Sequence, residues 1–500
     1  MPELSQRRRL LVLAICCMSL LLVSLDNTVL NVALPSMRRE LHASVSGMQW
    51  TIDAYTLVLA ALLMLAGSTA DRVGRKRTFQ TGLVVFSLGS ALCSLAPNLE
   101  ALVAFRMVQA VGGSMLNPVA MSIITNTFTE PRERARAIGV WGGVVGISMA
   151  AGPLVGGVLV QSVGWRSIFW LNLPVGLAAL VLTARYVPES RAPKPRRPDP
   201  VGQVLVAALL GSLTYAIIEA PDRGWGSPLI AVCTTVAVLA LVSLVAYERR
   251  RTEPLIELRF FHSAPFSGAT VIAVSAFAAL GGFLFLNTLY LQDVRGLGAL
   301  HAGLWMLPMA AMCFVFAPLS GRLVGSRGPR LSLLLAGAAM GASGVLFAAF
   351  DAQATDALLL IGYVLFGIGF GLVNAPITNT AVSGMPRAQA GVAAAVASTS
   401  RQVGQSLGVA VIGAVLASGA ASAAGGAHSA ASDTAFVTET SAAYAAGARP
   451  AWWIIAGCGA SVLLLGMVTT GRWAAGTARR AAALFGDERA PAQASASTSA

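Results

Sequence analysis

Apolar and polar residues do not alternate along this chain. The apolar positions run in long blocks, separated by short segments rich in Arg, Gly and Pro. A helix rises 1.5 Å per residue, so about twenty apolar residues cross the ~30 Å hydrocarbon core of a bilayer. Blocks of that kind fall at 10–34, 48–70, 78–96, 100–127, 135–162, 167–187, 201–220, 228–247, 267–291, 300–320, 331–350, 355–383, 390–418 and 450–471. The pattern predicts fourteen transmembrane helices in an all-α polytopic membrane protein. The first block follows Arg7-Arg8-Arg9 and imitates a secretory signal. It is longer than the apolar core of a signal, and further spans follow, so it is expected to remain as the first helix.

Composition agrees: 56% of the 500 residues are hydrophobic and 11% are charged, with a mean hydropathy of +0.70. Soluble domains carry about 25% charged residues. The net charge of +13 would suit nucleic acid if it formed one face, but the Arg residues are scattered through short loops, and no nucleic-acid partner is expected. An even number of spans puts both termini on one side. The segments on that side hold 27 of the 35 Lys and Arg residues, whereas the opposite loops hold only Arg38, Arg39, Arg166, Arg223, Arg295 and Arg449. By the positive-inside rule the termini are expected in the cytoplasm.

The six cysteines lie inside apolar runs without a CxxC pair, and the four histidines are isolated, so neither a disulfide framework nor a metal site is expected. No GxxxxGK[ST] loop occurs, so no nucleotide-driven pump is indicated; any active process would draw on an ion gradient. No cofactor is expected. The Pro-rich basic segment 188–200 reads as a linker, 419–448 as a flexible outer loop rich in Ala, Gly and Ser, and the tail after 486 as lacking a fold.

The informative residues are the polar ones inside apolar blocks. Asp26 in SLDNTVLNVALP is the deepest, with Asn27 and Asn31 near it. A carboxylate at bilayer depth costs several kcal/mol unless paired, hydrated or protonated, and so marks a pathway or coupling site. It is expected to face a central cavity beside a polar stripe of Ser24, Asn27 and Asn31. Arg106 lies in the fourth block with Gln109 three residues on, and needs an acceptor such as Asp26 or Asp53; a static ion pair is the alternative to a coupling role. Asp53 could equally be wetted from outside, Glu219 reads as interfacial, and Asp293 reads as solvated at a helix end. In the fifth block Gly139/Gly143, Gly142/Gly146 and Gly152/Gly156 are i,i+4 pairs that let a neighbouring helix approach closely. GSTADRVGRK (67–76) is echoed by GRLVGSRGPR (321–330), a weak repeat that suits two related halves.

These motifs resemble those of the major facilitator superfamily, and within it the fourteen-helix drug:proton antiporters. The loop signature is Gly67-x-x-x-Asp71-Arg72-x-Gly74-Arg75-Lys76, the first-helix motif is LDNTVLNVALP, and MAAGPLVGG (149–157) is similar to the antiporter motif. WRSIFWLNLPVG (165–176) and RQVGQSLGVA (401–410) also look like that branch; Ala110 stands where its fourth helix usually has glycine. The resemblance implies a major facilitator fold of two six-helix halves plus two inserted helices. The implied units are a six-helix bundle over 1–187, a cytoplasmic linker over 188–200 and two inserted helices over 201–247. A cytoplasmic loop over 248–266, a second bundle over 267–471 and a cytoplasmic tail over 472–500 complete them.

It also implies proton-coupled efflux of lipophilic or amphipathic compounds by alternating access, without enzymatic activity. The expected setting is a bacterial cytoplasmic membrane, with a monomer whose partners are lipid, protons and a small-molecule substrate. Asp26, Asp53 and Arg106 would couple protons. Gly67, Asp71, Arg72, Gly74, Arg75 and Lys76 would form a conformational switch, in which Asp71 either reaches the other half or is clasped locally by Arg75. Gly152, Pro153, Gly156 and Gly157 would seal the two sides from each other. Asn27, Asn31, Asn287, Tyr290, Asn374, Arg401 and Gln405 would line the substrate cavity, with a structural role for Arg401 equally open. A dedicated exporter of one metabolite and a proton-coupled symporter are the alternatives.

Overall fold

The computed structural model describes residues 5–192, 199–251, 254–349, 355–383, 390–424 and 433–483. Among the described residues every one of the fourteen predicted blocks is helical and there is no strand. In chain order these are α1 (Gln6–Leu41), α2 (Val45–Val73), α3 (Arg75–Ser94), α4 (Leu99–Thr127), α5 (Pro131–Ser162) and α6 (Ser167–Tyr186). Next come α7 (Pro200–Arg223) and α8 (Pro228–Glu248), then α9 (Ala264–Leu289), α10 (Ala299–Arg327), α11 (Pro329–Ala349) and α12 (Asp356–Val382). The last are α13 (Ala390–Ala424), α14 (Asp433–Thr469) and a short α15 (Arg472–Ala483). Twelve are long and apolar enough to cross a membrane, or thirteen when the bent α5 is taken as one span. The fourteenth, α3, opens with Arg75-Lys76-Arg77 and is less apolar, yet Gly82 and Gly89 let it lie backbone to backbone against α4 at Gly112 and Gln109.

The starts of these helices are written locally. Ser44, Asn98, Glu130, Asp199 and Ser227 each accept a hydrogen bond from a backbone N–H in the first turn of the helix that follows. The weak repeat has a structural counterpart. Gly74 (φ 127°) ends α2 and Gly328 (φ 80°) ends α10, a backbone region that L side chains rarely adopt. At Gly74 the missing Cβ also admits the Glu189 carboxylate, which accepts from the N–H groups of Lys76 and Arg77 and so caps α3.

Helices α1–α6 pack on one another, as do α9–α14, and the two groups meet along α1 with α9, α2 with α13, and α5 with α10. The inserted α7 and α8 pair with each other, and α7 lies against α2 and α13. Polar bonds fix α7 to α2: Trp50 Nε1 donates to Glu219 (2.9 Å), Ser46 Oγ to Asp222 (2.9 Å), and Gln203 to the Ala61 carbonyl.

One segment departs from expectation. The stretch 419–448 is helical wherever it is described, α13 running to Ala424 and α14 starting at Asp433; residues 425–432 lie outside the described residues. Its Ala-rich composition carries high helix propensity, which outweighs the Gly and Ser taken as loop signals. The tail begins with α15, and the part after 486 lies outside the described residues, as do 193–198 of the linker.

Candidate functional site

Asp26 and Arg106 meet inside the first six helices. Arg106 Nη1 donates to Asp26 Oδ2 at 2.5 Å and to Gln109 Oε1 at 2.8 Å, while its Nε reaches the Thr51 carbonyl at 3.3 Å. The guanidinium lies 4.2 Å from the Tyr55 ring centroid, and its Nη2 has no partner among the described residues. Asp26 Oδ1 accepts from Gln109 Nε2 (2.9 Å) and from Asn172 Nδ2 (2.8 Å). Asn172 in turn donates to Ser90 Oγ, which donates to the Phe169 carbonyl. The side chains are 0% and 2% exposed, so Coulomb attraction acts there with little solvent screening.

The expected cavity-facing Asp26 is therefore corrected: it points into the interior of its own bundle. At 100° per residue Asp26 stands roughly 140–160° around α1 from Ser24 and Asn31. Those residues cannot share its face. Asn31 and Thr28 instead help line a small apolar pocket with Met149, Met306 and Met309, between α1, α5 and α10. The Asn27 side chain donates to the Val23 carbonyl, one turn back on α1, and its backbone carbonyl accepts from Asn31 Nδ2.

Asn172 and Ser90 were not singled out by sequence reasoning, although Asn172 stands inside the quoted WRSIFWLNLPVG motif. Pro174 explains its placement. Proline lacks an N–H and clashes with the carbonyl four residues back, so α6 breaks into Ser167–Trp170 and Asn172–Tyr186. Asn172 starts the second piece beside Asp26.

Asp53 is wholly buried rather than wetted from outside. It accepts a long bond from Thr56 Oγ1 (3.4 Å), and its Oδ2 has no partner among the described residues. Ser406 of α13 lies beside it. One turn away, Gln49 Nε2 donates to the carbonyls of Val409 (3.0 Å) and Ala410 (2.8 Å). Asp293, expected in solvent, is 15% exposed and pairs with Arg38 across the two groups of helices at 3.3 Å. The neighbouring Gln292 donates to the Val32 carbonyl.

The MAAGPLVGG residues form a seam. Gly152 and Gly156 lie against Thr28 and Val29 of α1, and Gly157 against Ala299 and Leu300 of α10; Gly303 of α10 in turn abuts the Pro153 carbonyl. These contacts, with Gln49, Gln292 and Arg38, cluster at or toward the end of the molecule away from the termini. Toward the other end, Gly139 and Gly143 of α5 and Gly321 and Gly325 of α10 face open space. Among the described residues these contacts hold the far end shut, while at the end that carries the termini the four glycines stand open.

At that open end Asp71 is clasped by Arg75 (2.9 Å) and makes no bond to the other group among the described residues. Lys76 Nζ donates to the Ala184 carbonyl, Arg72 is exposed, and Gly67 faces Pro118. Of the proposed cavity residues in the second half, Asn287 is fully buried, accepting from Tyr363 Oη and donating to the Phe283 carbonyl. Tyr290 accepts from Arg295, Arg401 donates to Thr378 Oγ1, Gln405 packs its backbone on Gly281, and Asn374 is half-buried.

Two bundles joined by a one-ended closure, with a buried ion pair in the first, define a polytopic membrane protein of the transporter type. The family model described as Major Facilitator Superfamily matches residues 16–409, and the chain belongs to that superfamily. It is 38% identical to the "Multidrug resistance protein Stp" of Mycobacterium tuberculosis, over 82% of this chain and 76% of that one. It is 38% identical to the "Tetracenomycin C resistance and export protein" of Streptomyces glaucescens, over 80% and 74%. The "Methylenomycin A resistance protein" of Streptomyces coelicolor is 35% identical over 87% and 90%. Among solved structures, a bacterial homologue of the human lysosomal transporter Spinster, inward-facing and unoccupied, shares the fold. It does so with a TM-score of 0.64 at 18% identity, over 93% of this chain and 98% of that one.

Proposed function

We propose that this chain is a proton-driven exporter of small lipophilic or amphipathic compounds in the bacterial cytoplasmic membrane, with both termini in the cytoplasm. The buried Asp26–Arg106 pair carries the reading. Protonation of Asp26 cancels the charge that holds Arg106. The freed guanidinium reaches α2 through the Thr51 carbonyl, and α2 also carries Gln49 and Asp53 to the seam with α13. Proton binding is thereby linked to the far-end closure, and Asp53 offers a second protonatable group at that seam.

The halves 1–187 and 267–471 then rock about their interface, with 201–247 riding on α2. With the termini in the cytoplasm, the parted end faces inward and the pocket at Asn31 is reached from the cell interior. Its methionines can adapt to varied apolar shapes, so the small pocket marks where lipophilic compounds would bind once the halves move apart. When the cytoplasmic end closes, Asp71 exchanges its Arg75 clasp for a contact across the halves. A proton falling through ~100 mV releases ~2.3 kcal/mol, and each pH unit adds ~1.4 kcal/mol. Together these sustain roughly a 500-fold gradient of a neutral substrate at one proton per cycle. The names of the resistance and export relatives support the same direction of transport.

The test is growth of a pump-deficient bacterium expressing the protein, challenged with dyes, antibiotics and quaternary ammonium compounds. Resistance to several unrelated compounds, abolished when the proton gradient is collapsed, is expected. Protection against one chemical series alone would make it a dedicated exporter. Proton-linked accumulation of an external solute would make it a symporter and overturn the proposal.

A further inference from the structure

The short helix α15 has no place in the transport cycle described above, and its two faces are chemically opposed. Ala474, Thr477, Ala478 and Ala481 are buried, whereas Arg472, Trp473, Arg479 and Arg480 are exposed, Trp473 at 62%. At 100° per residue the exposed set covers an arc of about 120° on the side opposite the buried one. The helix contains no Asp or Glu, and among the described residues none of its three guanidinia makes an ion pair.

Its position is fixed by the fold. It follows α14 after a break of two residues, Thr470 and Gly471, and packs against the start of α9 and the preceding turn Leu258–His262, where Phe261 is also exposed. The contact is specific. Ser263 precedes α9 but makes no side-chain cap, and Thr477 Oγ1 accepts the Ala264 N–H at 2.9 Å in its stead. The helix therefore sits where two membrane-spanning helices meet the surface, tied to the first helix of the second half.

We propose that the exposed face of α15 is a binding site for anionic phospholipid headgroups of the adjoining leaflet. Arginines match phosphate with paired N–H donors, a tryptophan is placed as the aromatic anchors of membrane interfaces are, and a cluster of basic residues beside a span is attracted by an acidic leaflet. Through Thr477 the bound lipid steadies the start of α9.

The full-length protein is reconstituted into vesicles containing equal fractions of either brominated phosphatidylglycerol or brominated phosphatidylcholine. Trp473 emission is taken as the difference between the wild type and Trp473→Phe. The anionic lipid is expected to quench it more than about twofold better than the neutral one, the preference fading with added salt. The preference is lost in the variant Arg472→Gln/Arg479→Gln/Arg480→Gln and kept when the same three positions carry Lys. Equal quenching by both lipids, or a preference surviving the three Gln substitutions, would overturn the proposal. So would absence of quenching by either lipid, which places the face toward a soluble partner or the distal tail.

Discussion

Asp26 is held by donors on two helices besides its own: Arg106 and Gln109 on α4, and Asn172 on α6. Arg106 gains as much from the arrangement as it gives, because an intramembrane guanidinium without a counter-charge is itself costly. Removing one partner of a buried pair leaves the other charge uncompensated, at about 3–5 kcal/mol. Asp26→Asn is therefore expected to lower thermal stability in detergent by that order and to abolish proton-driven efflux. Adding Arg106→Gln removes the stranded charge, so the double variant regains most of the stability but none of the transport. Thermal unfolding followed alongside efflux from vesicles with an imposed pH gradient checks both. Normal efflux by Asp26→Asn would refute it as the obligatory carrier.

At the scale of the helix, the glycines of α5 divide into two groups that the sequence spaces alike. Gly152, Gly156 and Gly157 lie against α1 and α10, whereas a Cβ at Gly139 or Gly143 would meet nothing among the described residues. A side chain at Gly157 must displace the backbone at Ala299 and Leu300, and overpacking of that kind costs about 1–3 kcal/mol. Gly157→Leu is expected to pry the far-end seam apart, while Gly139→Leu leaves it shut. The nearby Val160 is 8% exposed and reports the difference. With Val160→Cys in a background lacking the six native cysteines, an impermeant maleimide should label the Gly157→Leu protein several-fold faster. Equal labelling in the two glycine variants would mean that the seam does not hold the far end.

For the whole molecule, the proposed alternating access requires at least two states, whose balance would rest on the few polar contacts described between the two groups. Gln49 supplies two hydrogen bonds from α2 to α13, and Arg38–Asp293 and Gln292 supply the others described. Loss of a buried hydrogen bond costs about 1 kcal/mol, and 1.4 kcal/mol is a factor of ten in a conformational equilibrium. Gln49→Leu is expected to move the population roughly tenfold toward the state open at the far end. Distances between spin labels at the far ends of α2 and α13 would show a longer component growing in. An unchanged distribution would sink the assignment of Gln49 to the closure.

Hydropathy and charge are local quantities, and what depends on them was settled along the chain itself. The positions of fourteen helices, the placing of Asp26 and Arg106 inside apolar blocks, and the matching glycines Gly74 and Gly328 all follow from runs and spacing. The rotational setting of one helix against another is not local. Spacing alone sets Asp26 apart from Ser24 and Asn31 on α1, but only packing decided that the Asp26 face turns into its own bundle and the Asn31 face toward α10. It brought Asn172 to the carboxylate, joined Asp293 to Arg38 across 255 positions of sequence, and closed Asn287 within its own half. Such pairings depend on which faces of distant helices bury the most surface and satisfy the most polar groups together, a condition no single segment contains.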